Sequence, residues 1–347
     1  MFVQPLLEIL LQHAGYKSTL AFVCTCKEQQ QSRNWLIANC TVVNHNSPLV
    51  DRCRCVSAKV DSIEQVLRLS SKVTRLTFVE WFNQPLDNVT LPASLTQLTF
   101  GSYFNQPLDN VTLPSSLTHL KFGNDFNQPL GSVTLLSSLT HLTFGDRFGQ
   151  SLDHVTLPAS LTHLTFGSLF NQPLDNATLP SSLTQLTFGW CLNQSLDIVV
   201  LPSSLTHLTF VEWFNQPLDN VTLPPSLTHL EFGSQFNRPL DNVTLPSSLT
   251  HLTFSWDFNQ PLDNVTLPAS LTHLTFGDDF NQPLVNVTLP SSLTHLTFGW
   301  HFDQPLDNVA LPATLTHLTF GNYFNFHKLL RNVALPASCS CIAQINK

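Results

Sequence analysis

Along most of the chain, hydrophobic residues recur in a fixed frame of twenty-two positions rather than in the rhythm of a helix. The stretch Leu95-Thr96-Gln97-Leu98-Thr99-Phe100-Gly101 shows its first half. Leu98 and Phe100 alternate with polar Gln97 and Thr99, the period of a strand with one buried face. Gly101 ends the run, and Gly recurs there at Gly123, Gly145, Gly167 and Gly233, as a sharp turn of the chain requires. The second half opens with Phe104-Asn105-Gln106-Pro107 and closes at Pro114. Each Pro removes a donor and clashes inside a helix, so the return path is expected to be extended or turn-like, with room for a short strand at Val111-Thr112-Leu113. The opening Phe returns from Phe82 through Phe104, Phe126 and Phe148 to Phe302 and Phe324, with Leu192 in the one place where it is missing.

A fixed period in this range is the signature of a solenoid, in which each unit buries its apolar face only against its neighbours. The inward set of one coil is Leu95, Leu98, Phe100, Phe104, Leu108, Val111 and Leu113, and successive coils are expected about 4.8 Å apart, the parallel-strand spacing. The Asn after the opening Phe (Asn83, Asn105, Asn127, Asn171, Asn215) reads as structural, its amide serving turn backbone that no strand reaches.

The frame covers residues 66–337 and leaves a 41–65 connecting or capping segment, a 1–40 head and a 338–347 tail. In the head, Pro5 followed by Leu6, Leu7, Leu10, Leu11 and Ala14 gives one apolar helical face. Ser18 or Thr19 is placed to cap a second helix through Leu20, Val23, Cys24 and Lys27, and Trp35-Leu36-Ile37 anchors a third. Val42-Val43 and the run from Val50 to Val60 are strand candidates. Val66-Leu67-Arg68-Leu69 is read as an imperfect first coil, and Cys339 and Ile342 as replacements for leucines in a last one.

Charge changes the picture little. Charged residues make up 11% of the 347 positions and the net charge is −8, with no Lys/Arg cluster of the kind a nucleic-acid footprint needs. No apolar run reaches the ~18 residues of a membrane span, and Met1 is followed at once by Phe2-Val3-Gln4-Pro5, without a basic leader. The eight Cys fall mostly outside the repeats and show no stapling pattern, so a reducing, cytoplasmic setting is expected. The Asn-x-Thr triplets at Asn88, Asn110, Asn176, Asn220, Asn242, Asn264 and Asn286 are formal glycosylation acceptors; one copied unit carrying one copied triplet accounts for them.

Two sets of outward residues are candidates for recognition. Down one strand column run His119, His141, His163, His207, His229, His251, His273, His295 and His317, with Thr in most places of the column beside it. A flat row flanked by Thr is not a tetrahedral cage, so no metal is expected; a pH-sensitive face and a plain polar surface both remain open. Between strand and Phe lies a second set, whose residues change from coil to coil: Trp81, Tyr103, Trp190, Trp213, Trp256 and Trp300 stand out there. Variation along one exposed edge of a repeat protein marks a binding face, and Trp and Tyr are enriched at binding hot spots. Drift in a tolerant loop is the alternative. The Asp of Leu-Asp-Asn and the Ser pairs are turn residues recurring in every coil, whereas an active site is one singular constellation, so neither an enzyme nor a cofactor is expected.

The unit resembles the FNIP repeat, a leucine-rich-repeat relative, with Phe-Asn-Gln-Pro standing for Phe-Asn-Ile-Pro. The head loosely resembles an F-box, on Pro5, Glu8, Ile9 and Leu10, then Leu20, Val23, Cys24 and Lys27, although two residues rather than one separate Pro5 from Glu8 and Thr25-Cys26 intrudes before Lys27. The resemblance implies a mainly β, right-handed, leucine-rich-repeat-like β-solenoid of about twelve 22-residue FNIP repeats with a small α-helical N-terminal head, an architecture known in social amoebae, other protists and giant viruses. It also implies binding to a Skp-type adaptor of a cullin-RING (SCF-type) ubiquitin ligase, with the solenoid holding a protein substrate. A structural or scaffolding solenoid whose N-terminal helices only cap it is the other reading. Neither nucleic acid nor membrane is an expected partner, and the chain is expected to be monomeric apart from its partners.

Overall fold

The computed structural model describes residues 25–26, 40–42, 55–321, 333–337 and 339–343. Two compact units divide the chain, Met1–Phe148 and Gly149–Lys347.

In the first unit, β1 (Thr25–Cys26) pairs antiparallel with β2 (Cys40–Val42), and β2 runs parallel to β3 (Cys55–Val60). Helix α1 (Ile63–Leu67) leads to β4 (Val73–Phe78), followed by β5 (Gln97–Thr99), β6 (His119–Lys121) and β7 (His141–Thr143). From β3 to β7 each strand pairs in parallel with the next, and from β4 onward the pairing joins residues one repeat apart: Arg75 to Gln97, Gln97 to His119, His119 to His141. The second unit repeats the arrangement through β8 (His163–Thr165), β9 (Gln185–Thr187), β10 (His207–Thr209), β11 (His229–Glu231), β12 (His251–Thr253), β13 (His273–Thr275), β14 (His295–Thr297), β15 (His317–Phe320) and β16 (Ser340–Ala343), again parallel and in register. Each unit is therefore a parallel β-solenoid, and most strands are three residues long with only the central Leu buried.

Phe and Leu fill the core in columns. Phe100 and Phe104 stack at 4.1 Å within one coil, and Phe100 stacks on Phe122 of the next at 5.7 Å. The same pairing recurs in the second unit, with Phe232 on Phe236 at 3.9 Å and on Phe254 at 5.5 Å. Burying one such ring contributes roughly 1.5–3 kcal/mol, so the Phe pair is a large part of the apolar contribution at the coil interfaces that carry it. Leu192, in the one break of the column, is equally buried.

Polar ladders close what the short strands leave open. The Asn83 Oδ1 accepts the backbone N–H of Asn105 at 2.9 Å and the side-chain amide of Gln106 at 3.0 Å, and Asn105 does the same for Asn127 and Gln128. The Asn reading is thus correct, and Gln in the third place of Phe-Asn-Gln-Pro gains a donor role that Ile could not fill. Thr118 Oγ1 donates to the Thr96 carbonyl at 3.0 Å and Ser116 Oγ to the Leu95 carbonyl at 2.6 Å.

Several local expectations are corrected. Val111-Thr112-Leu113 is not a strand: a turn closed by Val111 N–H to Leu108 O and another by Leu117 N–H to Pro114 O leave too little extended backbone between two prolines. The expected imperfect coil at Val66–Leu69 is instead the end of α1, with Val66 buried. The second head helix does not run over Thr25–Cys26, which are strand; the rest of the three-helix head lies outside the described residues. In the last coil Cys341, not Ile342, pairs with Leu318, because His317 and Ser340 are twenty-three residues apart, whereas Ile342 would need a spacing of twenty-four. The Gly column owes its identity to close approach and not to a left-handed turn. No described Gly has positive φ, whereas a Cβ on Gly123 would stand 1.7 Å from the Gly101 carbonyl oxygen.

That contact yields a prediction. Gly123→Ala should lower stability by about 1–3 kcal/mol, as overpacking does, and shift the urea midpoint, while Asn124→Ala in the adjacent exposed turn should leave it nearly unchanged.

Candidate interaction surfaces

The His column lies on the outward face of the sheet, and the parallel register brings its rings together. His207, His229, His251, His273, His295 and His317 form an unbroken stack with centroids 4.1–4.2 Å apart and planes within 12°. His119 and His141 stack likewise at 4.1 Å in the first unit. The rings sit closer than the strand spacing of about 4.8 Å, so they lean along the stack. Each Nδ1 meets the hydroxyl of the Thr before it, as in Thr250–His251 at 2.9 Å and Thr162–His163 at 2.8 Å. This contact fixes ring orientation and leaves Nε2 as the nitrogen the Thr does not engage. Gln185 holds the same column position between His163 and His207.

Crowding like groups in this way disfavours their charged form. His251 is lowered to about 4, by partial burial first and then by repulsion from His229, His273, His207 and His295. His163, His229, His273 and His295 are lowered too, in each case by burial first and then by other histidines of the row. Two unit charges at 4.2 Å repel by about 1 kcal/mol even at the dielectric constant of water, so the row resists filling with protons. The rings are parallel, so adjacent lone pairs do not converge, and among the described residues no group of three or more His, Cys, Asp or Glu side chains could hold a metal ion.

The variable edge is more ordered than its loop-like composition suggests. Trp213 N–H donates to the Trp190 carbonyl at 2.8 Å, Gln235 N–H to Glu212, Asp257 N–H to Ser234, and Asp279 N–H to Trp256 at 2.9 Å. The first unit does the same at Tyr103 N–H to Glu80. The edge is thus a backbone ladder whose side chains stand at one-coil spacing. Trp81, Tyr103, Trp190, Trp213 and Trp256 are 48–65% exposed and Trp300 is half-buried. No helix among the described residues is long and apolar enough to cross a membrane. The F-box-like residues Pro5, Glu8, Ile9, Leu10, Leu20, Val23, Cys24 and Lys27 lie outside the described residues.

In-register three-residue strands, stacked Phe columns and an Asn ladder define a leucine-rich-repeat type of solenoid, a fold typical of binding modules. The chain belongs to the FNIP repeat family, whose model matches residues 82–125, 126–169, 170–212, 214–257, 236–279, 258–299 and 280–323. Among solved structures it is similar to CroV588, described as a circular leucine-rich-repeat protein, at 46% identity and a TM-score of 0.73 over 84% of this chain. This chain spans only 43% of that protein's length. The internalin InlF of Listeria monocytogenes (16% identity, TM-score 0.53, 88% of this chain and 90% of that one) and TLR13 in its complex with ssRNA13 (13% identity, TM-score 0.50, 82% and 50%) share the fold. No curated protein matches this chain.

Acid should weaken the folded chain, with a definite sign. Well above the ordinary imidazole value of about 6.5, His251 is neutral in the folded and the unfolded chain alike. As the pH falls below that, the unfolded chain takes up protons that the folded row refuses, so stability is lost progressively down to about pH 4, where His251 itself titrates. The melting midpoint should therefore drop between about pH 7 and pH 4.5, and drop less in a His229→Gln/His251→Gln/His273→Gln variant, Gln being a residue the column already holds at Gln185. Equal drops in both proteins would show that the row does not sense acid.

Proposed function

We propose that this chain is a protein-binding module that serves as the substrate-recognition adaptor of a cullin-RING ubiquitin ligase, its head docking a Skp-type adaptor and its solenoid holding the substrate. The observation that carries the binding role is the edge ladder. Its backbone is held from coil to coil while its side chains change, so Trp81, Trp190, Trp213 and Trp256 stand exposed on a fixed frame. The ligase assignment rests on the F-box-like spacing at Pro5, Glu8, Ile9 and Leu10 and on what that resemblance implies. A cytoplasmic location follows from that role.

One observation favours the scaffold reading for the head. Thr25–Cys26 of the head pair with Cys40–Val42, which join the sheet of the first unit through Cys55–Val60 ahead of the first full repeat, as a cap would. Pull-down of a Skp-type adaptor separates the two. Full-length protein should bind it, and an Ile9→Asp/Leu10→Asp variant with unchanged circular dichroism should not. If the full-length chain binds no adaptor and the variant loses its fold, the head is a cap and the chain a scaffold.

A further inference from the structure

Charge is not shared evenly along the chain. Residues 149–347 hold thirteen of the twenty-three acidic residues but only four of the fifteen basic ones. Among the described residues of that unit Arg238 is the single basic side chain, and its Nε is engaged by the Asn215 carbonyl. Four of the acids, Glu212, Asp257, Asp278 and Asp279, stand on the variable edge between and beside Trp190, Trp213 and Trp256. The edge backbone brings them together in pairs: Trp190 is bonded to Trp213 and Trp256 to Asp279 on adjacent coils.

The edge of the first unit shows what such carboxylates accept. There Arg147 sits one coil beyond Asp125, with its guanidinium 3.4 Å from the carboxylate. The second unit supplies no Lys or Arg at the equivalent positions. Its nearest substitute is His301, whose Nδ1 meets Asp279 Oδ1 at 2.9 Å, while Glu212 accepts the Ser234 hydroxyl at 3.1 Å. The Asp257 carboxyl is pushed up, by partial burial first and then by Asp279 and Glu212, as expected for negative charge with no Lys or Arg beside it among the described residues.

We propose that the edge of the second unit binds an extended basic segment of a partner protein, its Arg or Lys side chains laid on the faces of Trp190, Trp213 and Trp256 and paired with Glu212, Asp257 and Asp279. Exposed indole faces attract cations through the ring quadrupole, and carboxylates beside them supply the bidentate partner that guanidinium fits best. Coil spacing of about 4.8 Å is shorter than the about 6.6–6.8 Å between same-side residues of an extended strand, so the segment does not run straight along the edge with one cation for every coil. This rests on the binding role proposed above and names the chemistry of what is bound.

The test is a fluorescence-anisotropy titration of the full-length chain with labelled decapeptides of alternating Arg-Gly, Lys-Gly, Glu-Gly and Gln-Gly. The Arg peptide should bind tightest, and binding should weaken as salt rises from about 50 to 500 mM. It should fall about tenfold or more in Trp213→Ala/Trp256→Ala and in Asp257→Asn/Asp279→Asn. Asp241→Asn/Asp263→Asn, which removes the same charge from turns on the return side, should change it by less than about twofold. Each variant is checked by circular dichroism. Equal loss in the two Asp variants, or no loss in the Trp variant, would mean that only the bulk charge attracts the peptide and overturns the inference. Preferential binding of the Glu or Gln peptide, lost in the Trp variant, would overturn the cationic specificity while leaving the edge a binding surface. Binding of none of the four overturns the inference, and the adaptor pull-down then decides the binding role separately.

Discussion

Every coil of this chain must satisfy its backbone donors and acceptors through the coils before and after it, because three-residue strands and tight turns leave few partners within one coil. Thr118 N–H and His119 N–H both reach the Thr96 carbonyl, and Phe100 N–H reaches Lys121 O. This demand holds the coils in a register of one repeat, and a fixed register places like side chain over like. The Phe columns, the Asn ladder and the Thr ladder are consequences of that one requirement, each stabilising it in turn.

The same requirement explains why polar residues can be used so freely at so low a charge content. An Asn that stacks on an Asn can accept from the backbone above it and be served by the Gln beside it, whereas a charged residue in that place would face its own copy. The His column shows the limit of this rule. Neutral imidazoles stack well, but proton uptake turns the repeat against itself, so the face whose rings stack at neutral pH is one that resists acid charging.

Much of this was legible in the spacing. Strand positions at Gln97–Thr99 and its copies, the inward Leu and Phe, and the structural role of Asn105 all follow from the period and from the chemistry of each residue type. What escaped depends on distances between coils, which a one-dimensional pattern does not hold. Gly123 reads as a turn former, yet what requires Gly is a carbonyl oxygen of the previous coil. The return segment at Val111–Leu113 has strand-like residues but two closing turns consume its backbone. Ile342 looks like a leucine substitute until a spacing of twenty-three residues hands that place to Cys341. For the edge, the exposed Trp residues were evident, but its coil-to-coil hydrogen bonding, which turns a variable loop into a fixed platform, was not.

The glycine column carries a consequence for how such a chain can change in length. At the glycine corners, where a carbonyl of one coil stands in near contact with the Cα of the next, one added residue could not be folded in without pulling the ladders on that side out of line. Adding or removing a whole coil disturbs none of them, since the new neighbour offers the same carbonyl, the same ring and the same amide as the old. Growth at these corners is therefore quantised: length is gained most readily in whole turns, and novelty enters as single-residue edits on the edge that faces outward.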